Sequence, residues 1–203
     1  MRFGPTSLAV TLVAATVAAP APASLHAQDA TRDYTPADVA FMSGMIYHHA
    51  QALLIAGWAP SHGASADVQT LCARIVRGQT DEIDLLSQWL ADRHEPVPHV
   101  EPEHLRHGMS EHMMPGMLTV DQLDQLDRAR GENFDELFLR FMIQHHEGAI
   151  TMVNQLFGKG AGEENPVYKI ASGVFADQTT EIERMQRMLA AKMFGPVPIT
   201  NPR

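Results

Sequence analysis

The segment FLRFMIQHHEGAITM at residues 138–152 decides how this chain is read, because FMSGMIYHHAQALLI at residues 41–55 is an earlier copy of it. On a helix advancing about 100° per residue, Met142, His145, His146, Ala149 and Met152 fall within a sector of roughly 120°. Met45, His48, His49 and Ala52 occupy the same sector in the first copy. A helical face with two adjacent imidazoles fills a core poorly unless something collects their nitrogens. Thioether and imidazole groups together are donors suited to a soft metal ion. Met45, His48, His49, Met142, His145, His146 and Met152 are therefore the candidate metal ligands.

The repeat extends beyond these copies, which are offset by 97 residues. QTTEI at 178–182 matches QTDEI at 79–83 at an offset of 99. A first helix is expected from Pro36, behind the capping residue Thr35, to about Gly57, where Gly57, Pro60 and Gly63 interrupt the pattern. A second should run from about Ser65 to Asp92, with Val68, Cys72, Ile75, Ile83, Leu86 and Leu90 keeping the helical period. A short helix is expected at about 120–130, and two more long ones at about 133–157 and 166–194. No strand pattern competes. Two helical hairpins joined by a long crossover, at about 93–118, predict an all-α four-helix bundle of ferritin-like topology over residues 28–203.

Two glutamines interrupt the apolar stripes of the second and fourth long helices. Gln79 lies near the centre of the stripe of Val68, Ile75 and Leu86, and Gln178 near the centre of that of Val174, Met185 and Leu189. Glu82 and Glu181 sit one turn on, nearer the edge. Buried amides need polar partners, and a ligating imidazole gives its second N–H to an outer acceptor. Gln79, Glu82, Gln178 and Glu181 are thus expected to surround the histidines, with both amides within reach of an imidazole.

The crossover is rich in the same donors. His104, His107, Met109, His112, Met113, Met114 and Met117 make a candidate second metal site. A solvated loop with packing methionines accounts for the same composition.

Residues 1–27 have the pattern of a signal peptide: Arg2, an apolar run over 8–19, then small residues. The run is too short to span a membrane, and the mature protein is expected to be soluble, periplasmic or secreted. Loss of Arg2 takes the formal charge from −9 to about −10, which opposes nucleic acid and anionic membranes as partners and suits metal cations. The one cysteine, Cys72, precludes an internal disulfide and is expected to be a buried, inert thiol. Oligomeric state is not set by the sequence.

The doubled Met-Ile-x-His-His pattern, the Met-Pro-Gly-Met turn at 114–117, FDELF at 134–138 and the Gln-x-x-Glu-Ile segments resemble the domain of unknown function 305 family. The likeness covers nearly all of the mature chain. It implies a ferritin-like fold and, from the secreted or periplasmic members that bind copper and silver, a metal-binding role. By position, Met45, His48, His49, Met142, His145, His146 and Met152 carry the match. One departure stands out: the residue matching Met152 in the first copy is Ile55, which removes a donor and makes the halves unequal.

Three functions follow from this pattern. The leading expectation is a non-enzymatic protein that sequesters Cu(I), and Ag(I) with it, since neutral thioethers favour Cu(I) and imidazole accepts either copper state. A ferritin-like di-iron oxidase or peroxidase would need Glu-x-x-His motifs, and Met45 and Met142 stand where those glutamates belong. A metal-free interaction module would leave the histidines and glutamines bonded to one another.

Overall fold

The structure is a computed structural model that describes residues 33–101, 105 and 113–195. The expected signal peptide, with His104, His107, Met109 and His112, lies outside the described residues. Five helices are present among them and no strand: α1 (Pro36–Ala56), α2 (Ala66–Asp92), α3 (Val120–Arg128), α4 (Glu132–Gly158) and α5 (Asn165–Phe194). α1 pairs with α2 and α4 with α5, α1 lies against α4 between the hairpins, and α3 rests on α4.

Helix ends follow local chemistry. Thr35 caps α1 in a reciprocal box: its side chain accepts from Asp38 N, and Asp38 accepts from Thr35 N at 2.7 Å. Thr119 and Gln122 do the same for α3. Gly131 precedes α4 with φ 56°, a left-handed turn that a side chain would strain.

Two apolar clusters set the direction of each long helix. One joins Ile55 and Ala56 at the end of α1, Val68 to Ile75 of α2, Phe134 to Met142 of α4, and Ile182 and Met185 of α5. The other joins Phe41 to Ile46 at the start of α1, Leu86 to Leu90 of α2, Ala149 to Leu156 of α4, and Val167 to Val174 of α5. Hence α1 and α4 are antiparallel, as are α2 and α5, while α2 and α4 run the same way. That is the ferritin-like connection, and it forces the crossover to travel the length of the bundle.

The repeat also builds a matched pair of loop ties. Asp38 and Asp135 are each 1% exposed. Asp38 Oδ1 accepts from Gly162 N at 2.7 Å, in the loop before α5, and Asp135 Oδ1 accepts from Ser65 N at 3.1 Å, in the loop before α2. Asp135 also pairs with Lys192 at 2.7 Å. Each hairpin is thereby pinned to the turn of the other.

By length and composition α1 could cross a membrane. Here it packs against α2 and α4 within the bundle, and its buried residues include His48, His49 and Gln51.

Candidate metal centre

Between the two apolar clusters lies a polar layer. On α1 the clusters leave out His48 and His49, on α4 His145 and His146, on α2 Gln79 and Glu82, and on α5 Gln178 and Glu181. All four histidines are 0% exposed, Gln79 is 2% and Gln178 1%. The repeat thus brings both His-His pairs to one level inside the bundle, as their spacing predicts.

The inner rings, His48 and His145, face each other with centroids 3.9 Å apart and planes tilted by 41°. His48 donates from Nε2 to the carbonyl of Pro115 at 3.0 Å. A carbonyl can only accept, so the ring carries its proton on Nε2 and leaves Nδ1 as a bare lone pair. The outer rings meet carboxylates. His146 Nε2 is bonded to Glu181 Oε2 at 2.6 Å, which likewise leaves its Nδ1 free. His49 Nε2 lies 2.7 Å from Glu82 Oε2, an ion-pair approach without the alignment of a hydrogen bond.

The amides behave differently from expectation. Neither amide atom of Gln79 has a partner, and Gln178 Oε1 has none. The glutamates one turn on make the imidazole contacts instead. Stripe position gives the angle of a side chain around its helix and not where its tip arrives; Glu and Gln are equally long, and here the carboxylates meet the rings from the edge of the stripe.

Nine buried side-chain atoms in this layer lack a hydrogen-bond partner, on His48, His49, His145, His146, Gln79 and Gln178. Apart from His49 Nε2, which has the Glu82 carboxylate beside it, each such atom costs about 1–3 kcal/mol, against a typical domain stability of about 5–15 kcal/mol. No other described residue contributes to this set. The layer is therefore a concentration of unmet donors and acceptors at one point in the bundle.

Electrostatics favours the ligand form of imidazole. Burial, then the neighbouring His49, pushes the pKa of His48 down to about 3, against a smaller opposite effect of the Pro115 carbonyl. Burial and then His48 hold His145 well below the usual histidine range. Both rings are neutral at physiological pH, the state that binds metals. At the edge of the layer, partial burial and then Glu82 and Glu181 raise the pKa of Asp177. Burial lifts the Cys72 thiol to about 12, in keeping with an inert core residue.

The thioethers stand on both sides of the layer. Met45 and Met152 belong to one apolar cluster; Met142 belongs to the other with Ile55. Met152 and Met114 of the crossover both lie beside Gly44: a Cβ added there would be 3.2 Å from Met114 Sδ and 3.5 Å from Met152 Cε. Gly44 is one turn before His48 on α1. The described crossover methionines do not share one environment, since Met113 is 43% exposed and Met117 only 2%. Among the described residues, no three His, Cys, Asp or Glu side chains already converge as a metal would require.

Two residues that frame this layer escape a sequence reading. Gln51 is 0% exposed and bonds both the N–H and the C=O of Leu118, at 2.8 and 3.1 Å. Gly148 is its partner in the repeat, and a Cβ there would lie 1.9 Å from the Pro115 oxygen. The turn at 114–117 thus lies directly on α4, one turn from His145. The signal was the unlike pair itself, Gln in one copy and Gly in the other.

Residues 38–189 match the family described as Domain of unknown function (DUF305). No curated protein matches the chain. Among solved structures, it is similar to a DUF305 fragment from Deinococcus radiodurans, at 28% identity and TM-score 0.66, covering 78% of this chain and 99% of that one. It is similar to a DUF305 protein from Streptomyces coelicolor at 25% identity and TM-score 0.66, covering 77% and 94%. CopM in its Cu(II)-bound form shares 28% identity with TM-score 0.61, covering 76% and 97%. CopM structures in Cu(I)-bound and Ag-bound forms also match, each at 26% identity and TM-score 0.59.

Proposed function

Because the chain belongs to the DUF305 family, we propose that it is an exported metal-binding protein that sequesters Cu(I), and Ag(I) through the same donors, without catalysing a reaction. One observation carries this reading: four fully buried imidazoles whose free nitrogens have no partner in the protein. The inner two are neutral without a metal, so binding there needs no prior loss of a proton. Met45 and Met142 supply one thioether on each side of the layer, and Met152 a further one towards the crossover. Thioether and imidazole donors suit a soft monovalent ion better than a hard divalent one. Glu181 is bonded to His146 and orients that ring, as acceptors behind ligating histidines do, and Glu82 lies 2.7 Å from His49. The copper- and silver-bound forms of CopM support the same choice of metal. The apolar N-terminal run serves as the export signal.

A Cu(I) competition titration of the mature chain tests this. Replacing His48 and His145 together by Ala should weaken binding by more than about 100-fold, since outer partners of a ligand alone contribute about 10–100-fold. Unchanged affinity would remove the layer as the metal site. Iron retained on purification together with oxygen consumption would instead establish the oxidase.

A further inference from the structure

The two long sides of the polar layer differ in access. On the α1–α4 side the crossover closes it: Pro115 bonds His48, Gln144 Nε2 donates to Gly116 O at 3.2 Å, and the turn rests on Gly148. On the α2–α5 side the helices leave a groove of about 670 Å³. Gln79, Gln178, Glu82, Glu181 and Asp177 line it. The side chains of Glu82 and Glu181 are 14% and 20% exposed while the rings behind them are 0%. The carboxylates therefore stand between solvent and imidazole.

We propose that the groove between α2 and α5 is the port through which the metal cation enters and leaves the histidine layer, with Asp177, Glu82 and Glu181 as capture carboxylates and the side-chain oxygens of Gln79 and Gln178 as relay donors. This rests on the reading of the layer as a metal site. The acidic side chains alone would not make a port. The deciding observation is Gln79, which is 2% exposed and lines the groove with both amide atoms unpartnered. A buried amide without a partner is costly, and here it lies on the groove wall with Glu82, which follows one turn later on the same helix. Oxygen donors hold a soft ion weakly, so they suit passage and not storage. Arg74 and Arg77 line the same groove and offset part of its charge. Both are exposed, whereas the glutamates sit inward against the rings.

Gly78 provides the test. It lines the groove, and a Cβ added there meets nothing within 4 Å. Gly78→Trp should narrow the port without disturbing the fold. Gly173→Trp, on α5 outside the groove lining and equally free of contacts, is the control. Cu(I) uptake by the full-length mature protein from a coloured bicinchoninate complex is followed by stopped flow, and release by the reverse exchange. Gly78→Trp should slow uptake and release alike, by about 10-fold or more, with Kd within about 2-fold, because an obstructed path changes rates and not end states. Asp177→Asn should slow uptake by about 2–3-fold at low salt and not at high salt, as electrostatic capture requires. Wild-type rates for Gly78→Trp, or equal slowing by Gly173→Trp, would overturn the port while leaving the metal site standing. Failure of the unaltered protein to take up Cu(I) would overturn both.

Discussion

Gly148→Ala should destabilise the protein although it places a better helix former inside a helix. The new methyl carbon would lie 1.9 Å from Pro115 O, 2.4 Å from Pro115 C and 2.5 Å from the Gly116 Cα. These are backbone atoms, so no side chain can swing aside; the turn must retreat by about 1 Å or more, which close-packed interiors resist. Retreat breaks the His48–Pro115 and Gln144–Gly116 hydrogen bonds and strains the Gln51–Leu118 pair. Each bond is worth about 0.5–1.5 kcal/mol net, and a buried donor left alone costs about 1–3 kcal/mol. Against this, Ala gains about 1 kcal/mol over Gly in a helix. The net expectation is a loss of about 2–4 kcal/mol. Gly173→Ala in α5, where an added Cβ meets nothing within 4 Å, should show the opposite sign, a gain of about 0.5–1 kcal/mol. Urea unfolding of the metal-free protein compares the two through their midpoints at unchanged slope. A Gly148→Ala protein as stable as the parent would refute the docking of the turn on α4.

Acid should destabilise the metal-free protein. His48 titrates near 3 in the fold and His145 well below its usual value, whereas unfolded histidine takes up a proton near 6.5. Stability present above that pH is lost as pH falls towards the folded values, by about 1.4 kcal/mol per pH unit for each ring; equal urea midpoints at pH 7 and pH 5 would contradict it. Gln79→Leu removes an amide with no partner and should raise the apo-protein's melting temperature, with a gain of about 1–2 kcal/mol; a lowered one would show that the amide is satisfied in solution. Met152→Ile should weaken Cu(I) binding more than Ile55→Ala does, and equal, negligible effects in a competition titration would reassign Met152 to packing.

The fold was legible because it rests on periodicity. The doubled Met-Ile-x-His-His segment, the stripes of α2 and α5 and the glycines after α1 and α4 place every long helix to within a residue or two. The burial of both histidine pairs was legible for the same reason: their angular positions coincide with the apolar faces. What completes each imidazole was not. That depends on where each side-chain tip arrives across the helices, since Glu82 and Glu181, no longer than Gln79 and Gln178, are the ones that meet the rings, and on the return path of the crossover, which delivers the Pro115 carbonyl to His48. The buried aspartates carry a weaker signal in the sequence. Asp38 and Asp135 fall at the same place in each copy, where an acid in the first helical turn reads as an ordinary capping residue.

A duplicated pair of hairpins invites a symmetric site, but one linker cannot be symmetric. The crossover passes the polar layer once, and its turn needs an amide at Gln51 to hold Leu118 and bare backbone at Gly148 to lie on. Two identical hairpins would have to place one residue type at both positions, and either choice would forfeit half of that docking. Fusing the copies into one chain therefore frees the halves to diverge. His48 has its proton fixed by the Pro115 carbonyl, while its twin His145 has no well-formed hydrogen bond and only the backbone of His48 beside it. The covalent connection that the topology demands is also what makes two near-identical histidines chemically distinguishable.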